Sequence, residues 1–126
     1  MTRAAKTPTP PGLRIRLVFE DGTMLGPGKA DLLEAIHATG SIAAAGRGMG
    51  MSYKRAWMLV ETLNASFPAP LVASKRGGAG HGGATLTGLG ETVLSHYRAL
   101  EARASRAASA DVAALTALRA DISRKQ

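Results

Sequence analysis

Residues 40–57, GSIAAAGRGMGMSYKRAW, constrain the fold more than any other stretch of the chain. Gly40 closes an apolar-periodic segment, and Ser41 follows as an N-cap for a short helix from Ile42 to about Arg47. Gly46, Gly48 and Gly50 then punctuate the chain. Ser52 caps a further helix, expected from Tyr53 to about Ser66, and Pro68 and Pro70 stop it. Ala56, Val60, Leu63 and Phe67 recur along it at helical spacing, with Trp57 and Leu59 beside them, so that side should face a core. Two short helices meeting at a glycine-containing turn, the second opening on hydroxyl and basic side chains, form a helix-turn-helix pattern.

The flanking sequence supplies the rest of a small domain. Residues 1–12, with Pro8, Pro10 and Pro11, read as a disordered lead-in. From Leu13 to Phe19 apolar and basic residues alternate, the period of a half-buried strand. Asp21-Gly22 is a turn suited to positive φ, Thr23–Leu25 a short return strand, and Gly26-Pro27-Gly28 its end. Residues 29–38 place Leu32, Leu33 and Ile36 on one side of an amphipathic helix. After the second capped helix, residues 71–74 and 84–86 read as strands joined by the glycine loop KRGGAGHGG. A last helix follows Gly88, with Leu89, Val93, Tyr97, Leu100 and Ala104 on one stripe. Residues 107–126 are an alanine-rich tail, helical or disordered, with Leu115, Leu118 and Ile122 as sparse anchors. The fold class expected is mainly α with small β: an N-terminal hairpin, three helices, a second hairpin and a helix. That order makes residues 13–106 a winged helix-turn-helix, with the glycine loop as the tip of the wing.

Charge placement bears on the partner. Sixteen basic residues against nine acidic ones give a net charge of +7. No acid lies between Ala35 and Val60, where Arg47, Lys54 and Arg55 fall, nor between Thr62 and Gly90, where Lys75 and Arg76 fall. An excess concentrated in the middle of the chain suits one basic face and a polyanionic partner. The low aromatic content argues against stacking platforms for single strands, so duplex DNA is the expected partner.

Several classes drop out. No cysteine means no disulfide framework, no thiolate metal site and no cysteine nucleophile. The first residues lack the apolar core of a secretory signal, and no run of about eighteen apolar residues is present to span a membrane. A cytoplasmic location is the expectation. Gly28-Lys29 looks like part of a phosphate loop, but that motif needs glycine at Thr23 and Ser or Thr at Ala30. Residues 78–83, GAGHGG, match a dinucleotide fingerprint in form, yet a strand-like segment follows them instead of a helix. His37, His81 and His96 lie in separate elements without metal-ligand spacing, so no metal site is expected. No nucleophile–base pair can be drawn, and the chain does not read as an enzyme.

The candidate binding residues each carry a plainer alternative. Lys54 and Arg55 stand in the first turn of their helix, where arginine can donate bidentately to guanine and lysine can reach guanine or a phosphate. Otherwise they are ordinary solvated residues. Ser52 caps the helix, contacts a phosphate, or does both, and Ser41 can aim backbone N–H groups at a phosphate. Tyr53 either reaches the DNA backbone through its hydroxyl or packs under a hairpin, while Trp57 reads as core. Lys75, Arg76 and His81 flank or occupy the wing, whose glycines permit close approach to a phosphate backbone or the minor groove. The plainer reading is a solvated hairpin. Arg14 and Arg16 read as solvated edge charges. The stripe of Leu89, Val93, Tyr97 and Leu100 either folds back on its own domain or pairs with a second chain.

Taken together, Gly40-Ser41-Ile42, Ser52-Tyr53-Lys54 with Ala56-Trp57, and Gly77-Gly78 through Gly82-Gly83-Ala84 to Leu86-Thr87 and Gly90 resemble the ModE-type regulators. These are molybdate-responsive bacterial transcription factors. The resemblance covers roughly residues 13–100, the N-terminal DNA-binding part of that family. It implies a winged helix-turn-helix of LysR type, a recognition helix beginning at Ser52, a wing near residues 77–83, and dimerisation through the helix after the wing. It does not extend to the C-terminal β-rich repeats that carry molybdate, because only the alanine-rich tail follows Leu100. No cofactor is therefore expected. The reading reached is a sequence-specific, double-stranded-DNA-binding transcriptional regulator acting as a homodimer. Two alternatives stay open: a nonspecific nucleoid-type protein, and an oxyanion-sensing module using Lys75, Arg76 and the glycine loop as an anion nest for molybdate or tungstate.

Overall fold

The computed structural model describes residues 12–75 and 83–124, with side chains through Arg119. The described residues divide into two units, one within residues 14–100 and a second made of residues 12–13 and 101–124.

The first unit opens with a hairpin. Strands β1 (Leu17–Val18) and β2 (Met24–Leu25) pair antiparallel, Leu17 opposite Leu25 and Val18 opposite Met24. Gly22 takes φ of 90° in the turn, and its N–H donates to the Phe19 carbonyl at 2.9 Å. The pairing is much shorter than the alternation from Leu13 to Phe19 suggests, and Leu17 and Val18 are both exposed. A strand needs a partner of its own length, and β2 ends at once in Gly26-Pro27.

Helix α1 (Pro27–Thr39) begins two residues earlier than the apolar periodicity indicates. Proline is well suited to the first helical position because its missing N–H would be unpaired there anyway. Ala30, Leu32, Leu33 and Ile36 are buried, and Gly40, left-handed at φ 71°, donates its N–H to the Ile36 carbonyl to end the helix. Helix α2 (Ile42–Gly48) is capped by Ser41, whose side chain accepts from the Ala44 N–H at 3.0 Å. Helix α3 (Tyr53–Ala65) is capped by Ser52, which accepts from the Arg55 N–H at 3.1 Å. The two helices approach closely at Gly46, where a Cβ would stand 3.0 Å from the Ala56 Cβ.

Past α3 the chain turns back as β3 (Val72–Lys75) and β4 (Gly83–Leu86), antiparallel with Val72 opposite Leu86 and Lys75 opposite Gly83. Val72, Ala84 and Leu86 are buried while Ala73 and Thr85 are exposed, the two-residue period of a one-sided sheet. The Ala84 N–H donates to the Gly40 carbonyl at 2.9 Å and so joins β4 to the α1–α2 corner. Thr87 leads into α4 (Gly88–Arg124): its hydroxyl accepts from the Gly90 N–H at 3.0 Å and donates to the Pro70 carbonyl at 2.8 Å. One core gathers α1, Ile42 and Ala45 of α2, the inner face of α3, both strands and Tyr97 of α4. An edge-to-face pair of Phe19 and Phe67, 6.0 Å between ring centroids, ties the N-terminal hairpin to the chain just beyond α3.

In the second unit α4 runs on to Arg124, so the tail is helical as far as that residue. Leu115 and Leu118, read from sequence as anchors, are exposed instead, and the Ile122 side chain lies outside the described residues. Gly12 and Leu13 border a groove along Ser105, Ser109, Val112 and Ala113 of the helix.

Candidate nucleic-acid interface

The α2–turn–α3 corner presents one helix end to solvent. Gly50, at φ 74°, makes a turn that few other residues adopt, and the Met51 N–H returns to the Gly46 carbonyl at 2.9 Å. The inner face of α3 is fixed by buried Ala56, Val60 and Leu63. Its opposite face must then be open, and Lys54, Arg55, Met58 and Glu61 are exposed there. Ser52 keeps its hydroxyl oxygen engaged as a cap and remains exposed, so capping and contact with an incoming group are compatible at that side chain. Ser41, half-buried, holds its cap in the same way.

Tyr53 is 57% exposed, so packing beneath a hairpin is not its role in this fold. Its ring stands edge-to-face on Trp57 at 6.2 Å, and Trp57 in turn is half-buried against the core. Lys75 sits exposed at the outer end of β3. Arg76 and His81 lie outside the described residues.

Glu61, the acid nearest to these cations in sequence, is exposed on α3 itself, whereas two carboxylates of α1 are engaged elsewhere. Arg98 of α4 donates to Asp31 Oδ1 at 2.8 Å and to Glu34 Oε1 at 2.6 Å, drawing two α1 carboxylates into one partly exposed cluster. Among the described residues, Arg47, Lys54, Arg55 and Lys75 have no carboxylate partner. Unpaired exposed cations keep their charge available to a polyanion. Among those residues, too, no polar or charged side chain is buried, and no group of three His, Asp or Glu could hold a metal ion. Among the described residues, no helix is long and apolar enough to cross a membrane.

The stripe on α4 is occupied by its own chain. Tyr97 is 1% exposed and donates its hydroxyl to the Ile15 carbonyl, while Leu89, Val93 and Leu100 are half-buried against the same core. Of the two sequence readings for these residues, folding back on the domain is the contact present.

Asn64 carries a role that periodicity does not signal. Its side-chain oxygen accepts from the N–H groups of Leu71 at 2.8 Å and Val72 at 3.0 Å, and its amide donates to the Val72 carbonyl at 3.2 Å. It thereby fastens the end of α3 to the start of β3. The only hint in the sequence is an asparagine just ahead of two prolines.

No protein-family model matches the chain. Comparison with curated proteins finds clear relatives. The chain is 46% identical over 81 residues to the molybdenum-pterin-binding protein MopB of Rhodobacter capsulatus, covering 64% of this chain and 30% of that protein. It is 42% identical over 88 residues to the molybdenum transport protein ModE of Azotobacter vinelandii, covering 70% and 33% respectively. It is 34% identical over 83 residues to the DNA-binding transcriptional dual regulator ModE of Escherichia coli K12, covering 66% and 32%. About two thirds of the chain is thus similar to ModE and Mop proteins, and the chain spans about a third of the length of these relatives. Their names describe binding, transport and regulation, and none of the three names an enzyme.

Proposed function

We propose that the chain is a winged helix-turn-helix module that binds double-stranded DNA with sequence preference and regulates transcription as a homodimer. In this reading α3 enters the major groove from its Ser52 end, Lys54 and Arg55 meet base edges or phosphates, and β3–β4 form a wing whose Lys75 rests on the backbone. The observation that carries it is the exposed first turn of α3, which bears two cations without a carboxylate partner. The ModE relatives named as transcriptional regulators support the same reading. Exposed Leu115 and Leu118 on α4 offer apolar surface to a second copy, which would double the DNA site read.

Selection of bound sequences from random duplex DNA at about physiological salt tests this directly. An inverted repeat should emerge. Arg55→Ala should then cost about 1–3 kcal/mol and relax preference at one position. Lys75→Ala should weaken binding alike for all sequences and lower the salt slope by about one. Recovery of no motif, with binding that vanishes as salt rises, would assign the chain to nonspecific nucleoid-type binding instead.

The names of MopB and of the Azotobacter ModE favour a second reading, an oxyanion-binding module. The described residues offer no buried polar group to line a closed cradle, so such a site would be open and built around Lys75 and the glycine loop. Calorimetry with molybdate, tungstate and sulfate separates the readings, and no heat at millimolar anion would end this one.

A further inference from the structure

The exposed face of α3 carries one large apolar side chain between Lys54 and Glu61. Met58 is 55% exposed at the middle of the helix, on the side away from Ala56, Val60 and Leu63. It lies one turn beyond Lys54, at the i, i+4 spacing that puts two side chains on the same face. A single exposed apolar residue on a protein surface is ordinary. This one, however, is in line with Lys54 on the face that, in the DNA reading proposed above, enters the major groove.

The floor of that groove offers hydrogen-bond donors and acceptors at every base pair, and one apolar group, the C5-methyl of thymine. A methionine has no donor and only a weak acceptor, so it cannot take part in the polar part of that code. Its unbranched, polarisable thioether chain can instead settle over a methyl group without demanding one geometry. We infer that Met58 is a specificity-determining residue that reads a thymine methyl group a few base pairs from the site of Lys54 and Arg55. This rests on the DNA-binding reading and adds to it a base identity. The cations can supply affinity on any duplex, whereas a methyl contact distinguishes thymine from cytosine at one position.

The test uses the full chain and the duplexes recovered by selection from random DNA. Each thymine is replaced in turn by deoxyuridine, which removes only the methyl group and leaves base pairing intact. One thymine in each half-site should then weaken binding about fourfold, the worth of one methyl group taken out of water. Met58→Ala should bind the thymine and deoxyuridine duplexes equally, and Met58→Leu should retain the discrimination. Arg55→Ala should weaken both duplexes alike and leave their ratio unchanged. Because Met58 is exposed, Met58→Ala should melt at the same temperature as the parent chain, which keeps misfolding out of the comparison. Binding that ignores every deoxyuridine substitution, or discrimination that survives Met58→Ala, overturns the assignment while DNA binding stands. Failure to bind any duplex rejects the DNA reading and this inference with it.

Discussion

Gly90→Ala should destabilise the protein although it replaces the poorest ordinary helix former with the best. Gly90 is in the first turn of α4, and a Cβ there would overlap the Leu71 carbonyl oxygen and lie 3.0 Å from its carbonyl carbon and 3.3 Å from its Cα. Real Cβ atoms essentially never come closer than 3.0 Å, so α4 and the Leu71 backbone must separate. Leu71 cannot move freely, because its side chain is fully buried and its carbonyl accepts from the Thr87 N–H at 2.9 Å. Overpacking of this kind costs about 1–3 kcal/mol. Weakening the Thr87 bond adds about 0.5–1.5 kcal/mol. Better helix propensity returns only about 0.5–1 kcal/mol. The net loss is therefore about 0.5–4 kcal/mol, or a fall in melting temperature of roughly 2–16 °C.

Gly28→Ala is the matched control. Gly28 lies in the first turn of α1, and a Cβ there meets nothing within 4 Å. Only the propensity gain applies, and the melting temperature should hold or rise slightly. Thermal unfolding followed by far-ultraviolet circular dichroism compares the two variants. If Gly90→Ala melts at or above the parent temperature, the close approach of α4 to Leu71 does not limit stability and the packing account fails.

Other expectations follow from single contacts. Asn64→Ala leaves the Leu71 and Val72 N–H groups without their acceptor and should cost about 2–4 kcal/mol in urea unfolding, whereas Asn64→Asp keeps that acceptor but sets a carboxylate oxygen against the Val72 carbonyl and should recover only part of the loss. The Asp21 carboxyl is held below its ordinary value of 3.8 by the N–H and then the hydroxyl of Thr23. A depressed folded value means that its contribution is present above 3.8 and fades as pH falls through the folded midpoint, so NMR titration should find that midpoint below 3.8.

The parts of the fold legible in the sequence are those whose signals are local. Ser41 and Ser52 announce their helices because a cap acts within three residues, and both side chains accept the expected N–H. Gly40 and Gly50 announce turns because their left-handed backbone is intrinsic to the residue. Leu13–Phe19 misleads because alternation describes one strand, while a ladder also needs a second strand of matching length. Pro27 reads as the end of a strand in sequence, although proline serves equally as a first helical residue. Asn64 and Gly90 were invisible as contacts, since each answers a chain segment that returns only after Pro68 and Pro70. The α4 stripe was ambiguous for a deeper reason: a helix face looks the same in sequence whether its own core or another chain covers it.

The proposed site inherits this division between local and distant causes. Its cations stand on separate elements, Lys54 and Arg55 on α3 and Lys75 on β3, so their spacing depends on how those elements are joined. That spacing is set by uncharged contacts: Asn64 between α3 and β3, Gly46 against Ala56 between α2 and α3, and the Ala84–Gly40 bond between β4 and the α1–α2 corner. Affinity and geometry therefore rest on different residues. Removing a cation should change the salt dependence of DNA binding and leave the melting temperature nearly untouched. Loosening a junction by Asn64→Ala should lower the melting temperature and weaken binding while the salt slope stays the same, because the same phosphates are still met once the complex forms. A junction variant that flattened the salt slope as steeply as Lys75→Ala would mean that Asn64 holds the cations to the duplex directly, and the separation would fail.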